Sequence, residues 1–450
     1  MIQILKSCTG SASYVIEKEL GNGGQGHVFL VHDSQSATQY AAKWYRPTTG
    51  TESQRKQITE LIARGKPHTR DSGIQFVWPL ELLSYEDSSE FGYLMPLIET
   101  QRFHSPSRIW NRAIKQPVLP VLCRICYRLA AAIETLHAAG LAYCDLNDKN
   151  IMVDTLSGEI VIYDNDNVVV NNASTPIKGV WEFIAPEVFI GGANPNAESD
   201  LYSAAVLLYY LWMWEHPMEG AATLTMHSWD IPAKRKFFAE TPVFVFHPTD
   251  TSNTAFGIPD LRLHVERWTR MCPPRLQRMF TDTFVEGIHS PFRRKRLADW
   301  QRVFLELEAN AVACDCEALN VWDGETPTLT CWKCTARIPI ALALRCRHGA
   351  SGDSWVLARA GALLRQHHLD INRFDKDATL VVGRVEPHPE APGHAIIRNL
   401  SQHAWNYAVR GNLVAIAPGQ ANALIPGGLL TVGNTSISVE SIQGAPPSGA

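Results

Sequence analysis

Apolar and polar residues alternate from Tyr14 to Leu20, the two-residue period of a half-buried strand, and apolar runs at 28–31 and 40–44 suggest two more. Residues 53–64 carry helical spacing, and Gly92-Tyr93-Leu94-Met95-Pro96-Leu97 has the pattern of a strand stopped by its proline. A long apolar helix is expected over 118–136, with Gly140 as its stop. Short strands follow at 151–153 and up to Ile162. The 14 uncharged residues from Leu201 to Trp214 predict a buried helix too short to cross a bilayer. Residues 354–367 suggest a short helix or linker. Beyond residue 377 the texture changes to short β-rich runs near 379–384, 395–400, 407–409, 413–416, 429–433 and 437–439, separated by Gly, Pro and Asn, which predicts an all-β sandwich. The tail at 444–450 is expected to be disordered.

A chain of 450 residues exceeds what one hydrophobic core serves, so two or three domains are expected. Its 45% hydrophobic and 19% charged content is that of a globular protein, and a net charge of -4 gives no general attraction to nucleic acid or membrane. Residues 1–10 lack the basic flank and apolar core of a signal peptide, which points to the cytoplasm. Of the ten cysteines, four form two close pairs, a spacing that favours metal over disulfide in a reducing compartment.

The candidate chemistry centres on Tyr143-Cys144-Asp145-Leu146-Asn147-Asp148-Lys149-Asn150, between the long helix and a strand. On such a loop Asp145 can accept the proton of an attacking hydroxyl, and Asn150, five residues on, can hold a metal against phosphates. Asp164 ends a strand 14 residues further and completes a magnesium pair with Asn150, with Asp166 second in rank. Gly21, Gly23 and Gly26 have the G-x-G-x-x-G spacing, followed by Val28. A dinucleotide fold needs a helix there; strands follow instead, so the glycines belong to a hairpin that lets backbone N–H groups approach phosphate. Lys43, 17 residues past Gly26, is placed to grip phosphates. Glu60 is expected to hold that lysine, with Glu52 its rival, and a hinge near Met95 and Leu97 is expected to bind adenine.

These residues, together with Ala185-Pro186-Glu187, stand in the order and spacing of the protein kinases, which the chain resembles over about residues 10–308. Asp200 resembles the aspartate opening that family's buried helix. The resemblance implies a bilobal α+β fold and ATP-dependent, magnesium-assisted phosphorylation of Ser or Thr in a protein substrate, with Asp145, Lys43 and Glu60 in catalytic roles. Three departures matter. Cys144 stands in place of the arginine that pairs with a phosphorylated activation segment, so activity independent of that phosphorylation is expected. Asn147 replaces a lysine that helps hold the transferred phosphate. The usual Asp-Phe-Gly is Asp164-Asn165-Asp166. Ser174 and Thr175 are candidate autophosphorylation sites. The alternative is a weak or inactive nucleotide-binding scaffold recruiting partners through its tail.

Cys314, Cys316, Cys331 and Cys334 offer four thiolates for tetrahedral, structural zinc; Cys346 or His348 is an alternative ligand. The segment 312–348 resembles the zinc ribbon that follows the catalytic domain in some bacterial kinases. The expected sandwich, 350–443, resembles a forkhead-associated domain, with Arg384 and Ser401 as counterparts of the residues that read phosphothreonine. Kinases with such tails resemble a bacterial group encoded beside a von Willebrand type A protein and a metal-dependent phosphatase, linked to tellurite or stress. By that analogy those two proteins are its expected partners.

Overall fold

The computed structural model describes residues 4–85, 88–173, 179–226, 228–324, 328–348, 352–369, 379–391 and 393–442. Ser174, Thr175 and the tail at 444–450 lie outside them. The chain divides into two compact units, one made of residues 1–116, 132–207 and 228–242 and the other of 117–131, 208–227 and 243–450.

In the first unit, alternating burial closes six strands into a barrel. These are β1 (Ile4–Ser7), β2 (Ser13–Asn22), β3 (Gly26–Asp33), β4 (Gln39–Tyr45), β6 (Glu81–Ser84) and β7 (Phe91–Met95), in the order β1-β2-β3-β4-β7-β6. Leu5, Tyr14, Val31, Ala42, Leu83 and Leu94 fill it. The glycine segment joins β2 to β3 as a hairpin, as expected. Gly26 is obligatory there, because a Cβ would lie 2.0 Å from the Trp44 carbonyl oxygen. Helix α1 (Glu52–Arg64) starts at Thr51, whose side chain accepts from Gln54 N–H, and ends at Gly65 with φ of 74°. It buries Ile58 and Leu61.

Two pairs of short strands then set the loops that matter. β8 (Leu141–Ala142) pairs with β11 (Val169–Val170), and β9 (Ile151–Val153) pairs with β10 (Ile160–Ile162), which also lies parallel to β5 (Ile74–Phe76). The loop 143–150 leaves β8 and enters β9, and the segment 163–168 leaves β10 and enters β11. Pairing the strands therefore brings these two connections together. Helix α2 (Leu119–Ala138) precedes β8, and α3 (Ala197–Met213) is the apolar helix expected from the sequence, its first N–H groups capped by Asn196.

In the second unit, α4 (Leu297–Ala309) is followed by two hairpins, β12 (Ala311–Ala313) with β13 (Leu319–Val321) and β14 (Leu329–Thr330) with β15 (Arg337–Ile338). Ten further strands form two sheets. One has six, β16 (Leu342–Arg347), β17 (Asp353–Leu357), β21 (Trp405–Val409), β22 (Asn412–Ile416), β24 (Leu429–Val432) and β25 (Thr435–Ser441), in the order β17-β16-β25-β24-β21-β22. The other has four, β18 (Leu363–Arg365), β19 (Val381–Pro387), β20 (Ala395–Asn399) and β23 (Ala421–Ala423). Both contribute to one core, with Leu344, Val356, Tyr407 and Ile437 from the first and Leu364, Val385 and Ile397 from the second.

Three expectations change. Residues 354–367 hold most of β17 and all of β18, and the helix expected there is a single turn, Gln366–Leu369. The break between 348 and 350 falls inside the hairpin of β16 and β17, because β16 pairs along its whole length with β25 and belongs to the six-stranded sheet. That pairing also removes Cys346 and His348 from the thiol cluster, since Cys346 is fully buried in the two-sheet core and His348 bonds to Ser354.

Helix α4 is tied to the six-stranded sheet by polar side chains. Glu306, 2% exposed, accepts from Trp355 N–H at 2.9 Å and from Arg275. Asn310 donates to the Trp355 carbonyl and accepts from Leu357 N–H, both at 2.8 Å. Glu308 takes Arg124 at 2.6 Å and Arg365 at 3.1 Å.

Candidate active site

Lys43 lies on β4 opposite Val28 of β3 and Tyr93 of β7, so the barrel fixes its backbone. Its side chain is buried, and the ammonium reaches Asp164 at 2.5 Å, Gln25 at 2.6 Å and Asp166 at 2.8 Å. Gln25 comes from the glycine hairpin and also donates to Asn167 at 3.1 Å. Asn167 in turn donates to Asp145 Oδ2 at 3.0 Å. One chain of hydrogen bonds therefore joins the hairpin, Lys43, the segment 164–167 and Asp145.

Asp145 is held by three amides. Asn147 Nδ2 donates to its Oδ1 at 2.9 Å, Asn150 Nδ2 to its Oδ2 at 3.2 Å, and Asn167 supplies the third contact. Burial raises its pKa against these donors. Asn147 thus orients the carboxylate. Asn150 aims its amide nitrogen at Asp145, which turns its oxygen to the other side. Gly179, with φ of 78°, approaches so closely that a Cβ would stand 3.3 Å from Asp145 Oδ1.

Asp200 anchors the loop from below. Its carboxylate accepts the N–H groups of Tyr143 at 2.7 Å and Cys144 at 3.0 Å, with His137 at 3.0 Å. Cys144 sits at φ of 67°, a strained conformation for a residue with a Cβ. Replacing Asp200 by Ala orphans two N–H donors at that strained turn, and the expected loss is about 3–5 kcal/mol of unfolding free energy, read by urea denaturation.

Asp164 and Asp166 crowd two carboxylates against one lysine. Burial first, and then the charge of Asp166, push the Asp164 carboxyl up to about 6. Burial opposes ionisation of Asp166 as well, but Lys43 and the Tyr45 hydroxyl outweigh it and hold its pKa below the usual range. Such a pair favours a further cation. Asp164 with Asn150 offers the oxygen donors magnesium takes.

The two acidic candidates on α1 lie elsewhere. Glu60 and Glu52 are exposed, while Lys43 is buried among Asp164, Asp166 and Gln25. The face α1 turns inward carries Gln54, Gln57, Ile58 and Leu61, and Glu60 sits about 110° around the helix from it. Met95 ends β7 beside Ala41 of β4, and Leu97 is exposed in the connection that follows. Tyr45, Gln25 and Asn167 are not singled out by sequence reasoning, in which Asp166 is a second-ranked metal ligand or turn residue rather than a partner of Lys43. Their one signal is position, one to three residues from a glycine, a lysine or an aspartate already chosen.

The four thiols form a second site. Their sulfurs lie within 4.8 Å of one another, with Cys314 to Cys334 at 3.5 Å and Cys316 to Cys331 at 3.6 Å. Tetrahedral zinc with bonds of about 2.3 Å places its sulfurs about 3.8 Å apart, so the set fits. Burial would raise the Cys331 thiol, but the N–H groups of Cys334 and Lys333 and the Asn320 amide outweigh it and bring it down to about 6, favouring thiolate. In the two-sheet region Arg384 is exposed, whereas Ser401 Oγ is already engaged by Asn399 Oδ1 and Trp405 Nε1.

A family model described as protein kinase domain matches residues 14–256. The chain is similar to the serine/threonine-protein kinase PknD of Chlamydia muridarum, 24% identical over 236 residues that cover 44% of this chain and 24% of the relative. It is also similar to a probable serine/threonine-protein kinase of Streptomyces coelicolor, 24% identical over 46% of this chain and 31% of the relative. A third relative is the cAMP-dependent protein kinase type 3 of Saccharomyces cerevisiae, 26% identical over 53% of this chain and 56% of the relative. The chain thus spans about a quarter of the length of the chlamydial relative it matches.

Proposed function

The chain belongs to the protein kinase domain family, and from that premise we propose that it transfers the γ-phosphoryl group of ATP to serine or threonine hydroxyls of a protein acceptor. The observation that carries this reading is the single hydrogen-bonded array linking the glycine hairpin, Lys43, Asp164 and Asp145. Such transfer needs positioning and electrostatics more than covalent chemistry.

Asp145, its carboxylate aimed by Asn147, Asn150 and Asn167, accepts the proton of the acceptor hydroxyl. Lys43 grips phosphate oxygens, and the backbone of Gly21 to Gly26 covers them. Asn150 and Asp164 would hold magnesium, which supplies charge neutralisation at the phosphates when bound. Met95 and Leu97 flank the adenine side. Because Asp200 already secures the N–H groups of Tyr143 and Cys144, the catalytic loop has an anchor that does not involve a phosphorylated segment. Cys314, Cys316, Cys331 and Cys334 hold structural zinc, with no open position for a substrate. The two-sheet region is read as forkhead-associated-like in shape. The internal bonds of Ser401 argue against its reading phosphothreonine through that hydroxyl. The von Willebrand type A protein and the phosphatase have no feature among the described residues that speaks for them and form no part of this reading.

Incubation with γ-labelled ATP, magnesium and a serine- and threonine-rich protein such as casein tests the proposal. Acid-stable label on phosphoserine or phosphothreonine, lost with EDTA, is expected. ATP binding without label transfer would favour a nucleotide-binding scaffold instead, a role compatible with Asn147 standing where a phosphate-holding lysine is usual.

A further inference from the structure

Helix α1 brings no charge to Lys43. The polar side chains on its inner face are neutral amides, and both are spent on the segment after Asp164. Gln57 donates to the carbonyls of Asp166 at 2.8 Å and Val168 at 3.1 Å, and Gln54 donates to the Asp166 carbonyl at 3.3 Å and to the Tyr45 hydroxyl at 3.2 Å. These amides clamp a backbone. They cannot balance an ammonium.

Asp166 can. It is 0% exposed, and its Oδ2 accepts from Lys43 at 2.8 Å and from the Tyr45 hydroxyl. Tyr45 is oriented in turn by Gln54, and its ring lies 5.1 Å from Phe91 and 6.0 Å from Tyr93, so the buried carboxylate is bonded to a hydroxyl that is itself fixed by packing. A buried carboxylate in such a place persists only if its cation is fixed opposite it. Asp164 also touches Lys43, but with its side chain 29% exposed it faces the open side of the site, where magnesium would draw it away.

We infer that Asp166 is the positioning residue for Lys43: it takes the place of a helix-borne glutamate and holds the ammonium toward the phosphates of a nucleotide. The inference rests on the nucleotide-binding reading given above. It has a structural corollary. The carboxylate proposed for metal and the carboxylate that locates the lysine stand two residues apart on one segment. Swinging α1 in or out therefore breaks no ion pair to Lys43, and α1 reaches the lysine only indirectly, through the amides that clamp the segment after Asp164.

The test compares affinity for ATP with affinity for adenosine, both without turnover. Asp166→Asn is expected to weaken ATP on the order of tenfold while leaving adenosine unchanged, since only the phosphates meet Lys43. Glu60→Gln is expected to change neither. In a Lys43→Met background, Asp166→Asn is expected to cost ATP nothing more, because the residue acts through the lysine. Equal weakening of ATP and adenosine, an undiminished loss in the Lys43→Met background, or a Glu60→Gln effect matching that of Asp166→Asn would each overturn the inference. Should Asp166→Asn alone fail to fold, folding of the Lys43→Met/Asp166→Asn double variant supports the pairing, since both buried partners are then removed. Failure of both overturns it. A chain whose ATP affinity depends on Asp166 but which transfers no phosphate sinks only the kinase proposal. One that transfers phosphate with Asp166→Asn indifferent sinks only this inference, and one that binds no ATP sinks both.

Discussion

Asp145→Asn is expected to lower phosphoryl transfer by about a thousandfold, within the span seen when a positioned base is removed. The change is isosteric, so the loop keeps its shape. What disappears is a carboxylate able to take a proton, aimed by Asn147, Asn150 and Asn167. An amide at 145 would also set its NH2 group against Asn147 or against Asn150 and Asn167, further loosening the aim. ATP affinity is expected to stay within a few-fold, because Lys43 and the glycine hairpin do not depend on the charge of Asp145. Initial rates of label transfer and a separate equilibrium titration with ATP read the two effects. If wild type and variant incorporate phosphate equally, Asp145 is not the base.

Removing the metal expected at the four thiols has the second large effect. Elemental analysis is expected to find one zinc per chain. Chelation, or Cys331→Ser, is expected to melt the two hairpins. The segment 311–338 has a small core of its own, Cys314, Ala318, Cys331 and Ile338, and half of that core is ligand. Structural zinc contributes on the order of 10–16 kcal/mol of apparent binding free energy, more than two hairpins this short can replace. Trp332 is a built-in reporter, since its backbone N–H bonds to Asn320 at 3.0 Å and its indole to the Leu319 carbonyl at 2.8 Å. Its fluorescence is expected to shift red on chelation and return with added zinc. An unchanged spectrum in metal-free protein would remove zinc from the fold.

Much of the site was legible because its residues begin or end strands. Lys43 lies in an apolar strand, Asp164 follows another, and Asp145 and Asn150 lie on the loop between two more, so hydrophobic pattern and spacing together placed them. Glu60 misled for a complementary reason. Charge suggested a partner for lysine, yet Lys56 and Arg64 on its own helix already marked its face as solvated. The inner face carries Gln54 and Gln57, and amides give no sequence signal of what they clamp. Asp166 stood in an Asx-rich run in which nothing in the residue types separates a turn from a buried anion. In the second unit, β19 to β22, β24 and β25 announced themselves by β-branched runs. β16 falls within the cysteine segment expected from sequence, and β17 and β18, with their tryptophan, arginine and neighbouring histidines, within the expected helix or linker, because their burial depends on sheet partners far along the chain.

The polar grip of α4 on the six-stranded sheet bears on where the chain can be divided. The matched family model stops at residue 256, and the resemblance read from sequence stops near 308, yet Glu306, Glu308 and Asn310 turn to strands beyond both limits. A cut near 308 would part Glu306 from the Trp355 N–H and Glu308 from Arg365, whereas a cut at 256 would keep those bonds and part only Glu308 from Arg124. The C-terminal strands are therefore no detachable cargo: a truncation that ends inside this seam strips buried acids of their donors and should destabilise what remains.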